Sequence, residues 1–159
     1  MKTYKVLTLL LVAFWMAATS PSPRAAIPSA EAKKIARLLK GTGLHYVARK
    51  ATVWTVDFTA RKLGKSTVIV TYDKNLLVTF AIVAKHAAIE NTPQLMQTLL
   101  RANDSFDYVK IGYDRDGDLI VRIDAPLRLA DSRLLKDDVK QVMSVSDDVF
   151  GQIGQFIRR

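Results

Sequence analysis

The densest group of potential metal ligands in the sequence consists of Asp114, Asp116 and Asp118, which surround Gly117. Carboxylates near a glycine occur in calcium-binding loops, but an EF-hand loop needs its glycine at the sixth position and a bidentate acid at the twelfth. Counted from Asp114, the glycine is fourth and the twelfth residue is Ala125. An Asp-Gly pair between two alternating apolar runs is instead typical of a tight hairpin turn. We therefore predict a turn here and no metal site.

Motifs for nucleophilic catalysis and phosphate binding are also weak. Residues 64–66 (Gly-Lys-Ser) resemble the end of a phosphate-binding loop, but Thr59 stands where the first glycine of that loop is needed. The sequence has no cysteine, no Gly-x-Ser-x-Gly elbow, and two histidines, His45 and His86. We predict no catalytic residues and no cofactor. The alternative of a hydrolase that uses the hairpin carboxylates requires a perturbed carboxylate beside a histidine in a pocket.

Two further pairs of adjacent acids, at 137–138 and 147–148, lie in a segment whose apolar residues recur every three or four positions. This spacing is typical of a helix, on which neighbouring side chains diverge. Neither pair can therefore converge on one substrate atom. We expect both pairs to lie on solvent-exposed helix surface, next to lysine and arginine partners.

The charge of the chain is positive and unevenly distributed. The 159 residues include 24 Lys plus Arg against 15 Asp plus Glu, and the length suits one domain, which we place at 27–159. Residues 31–100 contain 11 basic and 4 acidic side chains, whereas 101–159 contain 10 and 11. This asymmetry favours an acidic protein partner or self-association. The basic residues are scattered and accompany no nucleic-acid-binding motif, so no nucleic acid is expected.

Residues 1–26 have the features of a secretory signal peptide and a short linker. Lys2 and Lys5 precede an uncharged apolar run that ends at Ala18, and a Ser/Pro segment follows. The run is shorter than the roughly 20 residues that a membrane-spanning helix needs. Cleavage is expected after Ala18 or near Ala26. We predict a bacterial protein that is periplasmic or secreted and has no membrane anchor after cleavage.

The elements that position these residues follow from apolar periodicity and turn signals. Helices are predicted at about 30–40 with Ser29 as the N-cap, from 92–93 to 103–105 with Thr92 as the cap, and from 131–132 to 156 with Asp131 or Ser132 as the cap. Strands are predicted to start at 46–47 and to occupy 53–58, 67–72, 76–83, 109–113 and 119–123. Strands that are joined by short turns must pair antiparallel. We predict an α+β fold, an antiparallel β-sheet packed against helices in the order α-β-β-β-α-β-β-α.

The second half of the sequence resembles a known family. Residues 99–103 (Leu-Leu-Arg-Ala-Asn) precede the strand 109–113, the acidic turn 114–118 and the strand 119–127 (Leu-Ile-Val-Arg-Ile-Asp-Ala-Pro-Leu), and a long helix follows. This arrangement is similar to the YbjN family, whose fold resembles the type III secretion chaperones, and the resemblance covers about 30–157. It implies an α/β sandwich that tends to dimerise. It also implies a sensory-transduction-regulatory or chaperone-like role without catalytic residues.

Together these patterns predict a non-enzymatic, exported protein that binds a protein or peptide segment, with a homodimer as one possible state. A sheet with one face covered by helices leaves its other face, or a dimer interface, to hold the segment, and strand addition at a sheet edge or a helix in a groove would supply the affinity. The alternatives are a hydrolase and a protein that binds a small apolar ligand or lipid between the long helix and the sheet. The predicted partner-binding residues are Lys50, Trp54, Arg61, Lys62, Lys65 and Tyr72.

Overall fold

The computed structural model describes residues 29–158, in which three helices accompany six strands. The predicted signal peptide and its cleavage site lie outside these residues. The elements are α1 (Ala30–Thr42), β1 (Val47–Lys50), β2 (Val53–Ala60), β3 (Gly64–Asp73), β4 (Leu76–Ala84), α2 (Pro93–Ser105), β5 (Lys110–Tyr113), β6 (Leu119–Pro126) and α3 (Ser132–Ile153).

The strands form one antiparallel sheet in the order β1-β2-β3-β4-β6-β5. The first four strands follow one another through short turns. α2 then carries the chain beyond the place that β6 later fills, so that β5 forms the far edge and β6 returns between β4 and β5. The predicted α+β fold is confirmed. The short strand β1 adds a fourth strand before α2, where the sequence had indicated only a strand start at 46–47.

The capping and turn residues act where the sequence predicted them. Ser29, Thr92 and Asp131 each accept a hydrogen bond from a backbone N–H of the first turn of α1, α2 and α3, at 3.2, 3.1 and 2.8 Å. Such caps satisfy N–H groups that a helix cannot bond internally. In the β5–β6 turn, Gly117 has a φ of +79°, a left-handed conformation that glycine adopts without strain. The hairpin interpretation of the acidic turn is therefore confirmed.

One face of the sheet, called the covered face, forms the core with the helices. α3 lies across β4 and β6, and α1 packs against α3. Gly41 of α1 lies so close to Ser132 of α3 that a Cβ atom would overlap the serine hydroxyl. The buried apolar side chains that the strands contribute to this core are Trp54, Val56, Val68, Val70, Leu77, Ala81, Val83, Ile111, Leu119, Val121 and Ile123.

The last helix is shorter than predicted. α3 ends at Ile153, and Gly154–Phe156 forms one 3₁₀ turn. Glycine costs about 1 kcal/mol in a helix interior, and the following chain makes other bonds. The backbone N–H of Glu90 donates to Phe156 O at 2.9 Å, next to an antiparallel bridge between Ile89 and Ile157. Within residues 29–158, no helix combines the length and apolar character that crossing a bilayer requires.

The acidic pairs of α3 do not all face solvent. Asp138 is 7% exposed, and its Oδ2 atom has no hydrogen-bond partner. Burial, together with the nearby charge of Asp137, raises the pKa of Asp138 to about 6. The expectation of a solvent-exposed pair at 137–138 is wrong for Asp138, because the buried stripe of α3 is wide enough to include it beside Val139. The second pair instead binds the β2–β3 turn through Asp147 and Asp148.

Candidate partner-binding surface

The second face of the sheet, called the open face, carries a row of side chains that crosses five strands. The register places Thr55 of β2 beside Ile69 of β3, which lies beside Phe80 of β4. Phe80 in turn lies beside Arg122 of β6, which pairs with Lys110 of β5. Because side chains alternate between the two faces of a strand, all five project from the face opposite the covered one.

An apolar strip runs through the middle of the open face. Its members lie on three adjacent central strands and belong to no part of the helix-covered core. The strip consists of Ile69, Val78, Phe80, Ile82 and Ile120. Val78 and Ile120 are only 4% and 9% exposed, because neighbouring side chains on the sheet shield them, and the other three are partly exposed. A partner can therefore contact the strip through its partly exposed members, Ile69, Phe80 and Ile82.

On the β6 side, the strip is bordered by a charged cluster. Asp124 accepts hydrogen bonds from Arg122 Nε at 2.5 Å and from Lys110 Nζ at 2.9 Å. Burial raises the pKa of Asp124, but the bonds from Arg122 and Lys110 outweigh burial and hold this pKa below its usual range. The Asp124 carboxylate is therefore ionised, and the two hydrogen bonds fix its position. Beside the cluster, Gly112 presents no side chain, which leaves a shallow depression next to Ile120.

On the β1 side, the strip is bordered by a second polar group. Arg49 Nε donates to Thr55 Oγ1 at 3.0 Å, and Thr67 Oγ1 donates to Asp57 at 2.7 Å. Arg49 also lies 4.0 Å from Asp57. Both of these charged side chains are more than half exposed, so their attraction is weak and a partner can replace it.

The two edges of the sheet differ. At the β5 edge, Ile111 donates its N–H to Asn103 Oδ1, and Asn103 Nδ2 donates to Ile111 O, both at 2.8 Å. The Asn103 side chain of α2 therefore lies where an added strand would pair with β5. At the other edge, β1 pairs with β2 only as far as Thr55, and within residues 29–158 no strand pairs with the outer side of β2 from 56 to 60. Unpaired strand edges accept further strands.

The four predicted basic residues lie around this second edge. Lys50 ends β1, whereas Arg61, Lys62 and Lys65 lie at the β2–β3 turn, at the opposite end of β2. Lys62 is held in place, since its Nζ donates to Asp148 at 3.0 Å and its backbone N–H donates to Asp147 at 2.6 Å. Among the ion pairs of residues 29–158, none involves Lys50, Arg61 or Lys65.

The structure corrects the expectation for Trp54, one of the two predicted aromatic residues. Trp54 is 4% exposed and lies in the core beneath the helices, so its indole is not available to a partner. Tyr72 is half-buried against the same core, and its hydroxyl lies 2.8 Å from Ser29 Oγ. Alternation along β2 places Trp54, Val56 and Phe58 on one face of the sheet. It could not indicate which face the helices cover.

The apolar strip was missed in the sequence, although a signal for it was present. The run 76–84 (Leu-Leu-Val-Thr-Phe-Ala-Ile-Val-Ala) has apolar residues at both its odd-numbered and its even-numbered positions, and Thr79 is its one polar residue. Such a run indicates a strand that is apolar on both faces. Asn103 was missed too, because its position near a helix end had only suggested that it terminates the helix.

The carboxylates of the acidic turn serve the hairpin. Asp118 accepts hydrogen bonds from Lys85 Nζ at 2.6 Å and from the backbone N–H of His86 at 2.9 Å. The bond from Lys85 lowers the pKa of Asp118. The ring of His86 packs against Gly117. Asp118 is thus beside a histidine, as a hydrolase would need, but it is a fixed ionised partner. The depression next to the turn, lined by Tyr113, Asp114, Arg115, Asp116, Ile120 and Arg122, does not include His86.

A depression of about 670 Å³ lies at the start of α1, beside the β3–β4 turn and the end of β6. It is wide open, and Lys34 Nζ at its wall donates to Leu127 O at 2.6 Å. The predicted small-ligand alternative had placed a pocket between the long helix and the sheet. This depression lies elsewhere and therefore does not support that alternative.

The family model for YbjN, described as "Putative bacterial sensory transduction regulator", matches residues 32–155. The chain belongs to the YbjN family. The family was predicted from the helix, hairpin and terminal helix of the second half, and that prediction is confirmed. Among curated protein sequences, none matches the chain.

Three solved structures have the same fold as this YbjN-family chain. A chain of the ExoU–SpcU heterodimer from the type III secretion system of Pseudomonas aeruginosa is 13% identical, with a TM-score of 0.50, and covers 76% of this chain and 95% of its own. A chain of the HopA1–SchA chaperone–effector complex is 12% identical, with a TM-score of 0.54 and coverages of 76% and 95%. YbjN from E. coli, described as "a putative transcription regulator", is 12% identical, with a TM-score of 0.54 and coverages of 79% and 94%. These similarities establish a type III chaperone-like fold.

Proposed function

We propose that this YbjN-family protein is a non-enzymatic, chaperone-like binding module that holds an extended segment of a protein partner on its sheet. The observation that carries the proposal is the apolar strip of Ile69, Val78, Phe80, Ile82 and Ile120, which lies on the open face of a sheet whose strand β2 has an unpaired edge. Two of the structures with the same fold belong to a heterodimeric type III secretion complex and to a chaperone–effector complex. These complexes support a protein partner for this fold.

A long extended segment can use both parts of this surface in succession. One stretch of its backbone would form hydrogen bonds with the outer side of β2 at 56–60, and a following stretch would cross the open face and cover the strip with its apolar side chains. Lys50 lies at one end of that edge, and Arg61 and Lys65 lie at the other. Acidic residues that flank the apolar part of the segment would pair with these cations, none of which forms an ion pair within residues 29–158. We therefore propose an acidic or acid-flanked segment.

The test is a capture experiment with matched variants. Full-length protein, F80D and L100D would be immobilised and exposed to extract of the producing bacterium at moderate salt. Phe80 lies in the middle of the strip, whereas Leu100 is 70% exposed on α2, in the helical layer. We expect a specific protein to bind the wild type and L100D but not F80D. Equal capture by the wild type, F80D and L100D would contradict the proposed surface, and so would equal loss of capture in F80D and L100D. Circular dichroism must show that all three proteins are folded.

The predicted homodimer would use the same surface. A second copy of the chain can cover the strip, and this copy would then compete with the protein partner. Sedimentation velocity of the wild type, F80D and L100D checks this point. A dimer that dissociates in F80D but not in L100D supports the homodimer. A wild type that is monomeric at all concentrations contradicts the homodimer and leaves the partner proposal to the capture experiment.

We propose in addition that the protein acts outside the cytoplasm, in the periplasm or as a secreted protein. The support is the basic start, apolar run and Ser/Pro segment of residues 1–26. Cell fractionation together with mass spectrometry of the amino terminus tests it. A protein in the periplasmic fraction whose first residue follows Ala18 or lies near Ala26 is expected. An intact Met1 in the cytoplasmic fraction would contradict export.

A further inference from the structure

Gly112 lies within β5, although the backbone there does not require a glycine. Its φ is not positive, and a Cβ atom added to it would meet nothing beyond its chain neighbours within 4 Å. Glycine has no side chain to pack and weakens a strand interior, whereas a β-branched residue favours a strand. A strand glycine of this kind is typical of a site where another molecule approaches closely.

The other glycines of residues 29–158 have local reasons. A positive φ accounts for those at 43, 64 and 117, and a side chain that an added Cβ atom would overlap accounts for those at 41 and 151. Gly154 follows the last residue of α3. Among these glycines, Gly112 alone lies in a strand without such a reason.

The depression at Gly112 extends the apolar strip toward the β5 edge. The register places Gly112 beside Ile120, which is a member of the strip, and places Lys110 beside Arg122. These residues line a depression of about 330 Å³ on the open face. A side chain at position 112 would project into this depression, so the glycine leaves room for a side chain from another molecule.

The walls of the depression favour an aromatic side chain. Ile120 supplies an apolar floor, and Arg122 and Lys110 place two cations at the rim. The Arg122 side chain is 35% exposed, and Asp124 holds its guanidinium through Nε. A planar cation that is fixed in this way attracts the electron-rich face of an aromatic ring. An aliphatic side chain would cover Ile120 but would gain nothing from the two cations.

We propose that the Gly112 depression holds one aromatic side chain of the protein partner, whose ring lies on Ile120 and against the Arg122 guanidinium. This inference rests on the proposed function and adds a rule for the sequence of the partner. The stretch that crosses the open face carries an aromatic residue at the position that reaches β5. Gly112 and Arg122 are thus specificity-determining residues of the surface.

The first test uses a library of random peptides displayed on phage and selected on the immobilised full-length protein. Peptides that also bind F80D are removed. We expect the remaining peptides to share an aromatic residue at one fixed position, enriched about threefold or more over its frequency in the library. Selected peptides without a shared aromatic position would overturn the inference. A library that yields no peptide dependent on Phe80 would contradict the proposed function and this inference with it.

A selected peptide then probes the depression itself, through the fluorescence anisotropy of a labelled copy. G112V fills the depression, and G154V is its matched control, because Gly154 also has free space at its Cβ position but lies in the helical layer. G112V should bind about tenfold more weakly than the wild type or worse, while G154V should stay within about twofold of it. A peptide that needs Phe80 but binds G112V as tightly as the wild type would refute this inference and leave the proposed function standing.

The stability of G112V distinguishes a filled depression from a damaged fold. Valine favours strands and meets no neighbour here, so the urea midpoint of G112V should be at least that of the wild type. A lower midpoint would show that the glycine has a structural role and would count against the inference. If G112V does not fold, G112A takes its place and should bind the peptide more weakly than the wild type does.

Exchange of the aromatic residue of the peptide for leucine tests the contact with Arg122. In the wild type, this exchange should weaken binding by about threefold, the size of an exposed cation–π interaction. R122Q removes the cation and keeps a polar side chain, so the same exchange should leave the affinity for R122Q unchanged. An equal loss in the wild type and R122Q would place the ring away from Arg122 and contradict the inference.

Discussion

The two faces of the sheet are made of similar side chains, yet within residues 29–158 helices pack on only one of them. On the covered face, Val70, Leu77 and Val121 are fully buried under α3 and its neighbours. On the open face, Ile69 and Phe80 are equally apolar, but they are partly exposed and have only the sheet beneath them. The comparison teaches that apolar character alone does not define the core. A face becomes core when a helix with a matching apolar stripe reaches it.

The largest expected difference between the faces is in stability. Leu77 is fully buried on the covered face, so L77A should lower the free energy of unfolding by about 2–5 kcal/mol, through lost burial and the cavity it leaves. Phe80 follows three residues later on the open face, and F80A should cost about 1 kcal/mol because that side chain already contacts water. Urea denaturation measures both values. Equal losses would mean that the open face is part of the same core.

The second effect is a weak point on the covered side, the buried carboxyl of Asp138. Its folded pKa of about 6 is above the ordinary aspartate value of 3.8, so the folded state favours the protonated form. The protonated form is fully present in both states below about pH 4, and stability falls as pH rises from there through 6. D138N cannot ionise and should be about 2 kcal/mol more stable than the wild type at pH 7.5, after allowance for solvent screening, and nearly equal at pH 4.

Urea denaturation of the wild type, D138N and D137N at several pH values tests this prediction. Asp137 is the exposed neighbour, so D137N should keep most of the pH dependence of the wild type. A D138N curve with the same slope between pH 4 and 7.5 as the wild type would show that Asp138 does not carry the effect.

The third effect compares the two borders of the open face. Asp124 holds Arg122 and Lys110, and D124N should lower the free energy of unfolding by about 1–2 kcal/mol at pH 7. Since the pKa of Asp124 is lowered in the fold, this contribution is present above the unfolded pKa near 4 and is lost as pH falls through the folded value. D57N on the opposite border should change stability by less than about 0.5 kcal/mol, because the ion pair of Asp57 is exposed. Thermal unfolding at pH 7 and pH 3 compares the two variants.

The smallest expected effect lies on the helical layer. Leu100 is 70% exposed on α2, and L100S should change the free energy of unfolding by less than about 0.5 kcal/mol. Equilibrium denaturation checks this value, which also decides whether Leu100 is a sound control position for the capture experiment. A loss above about 1 kcal/mol would mean that Leu100 contributes to packing that its exposure does not reveal.

Local signals in the sequence predicted most of the elements. Ser29, Thr92 and Asp131 were predicted as caps and act as caps, because capping depends on a side chain and on the N–H groups two or three residues away. The turn at 114–118 was predicted for the same reason, since an Asp-Gly pair sets the backbone locally. The place where α3 ends was missed, because a bridge between Ile89 and Ile157 decides it, and those residues are far apart in the sequence.

The candidate surface was predicted only in part. The basic residues Lys50, Arg61 and Lys65 were named from their charge, and they lie around the unpaired edge. Trp54 was assigned to the partner surface because alternation gives two faces without saying which one is covered. The strip was missed because its members come from β3, β4 and β6, and the insertion of β6 between β4 and β5 has no signal in local sequence.

By itself, the sequence determined where the chain turns, where its helices begin, that its strands pair antiparallel and which family it resembles. These properties depend on short-range interactions between residues a few positions apart. Only the tertiary structure decided which sheet face is covered, that Asp138 is buried without a partner and that Asn103 reaches Ile111. Each of these facts depends on which distant segments come into contact. Burial and edge pairing are decided by those contacts and cannot be read from one segment alone.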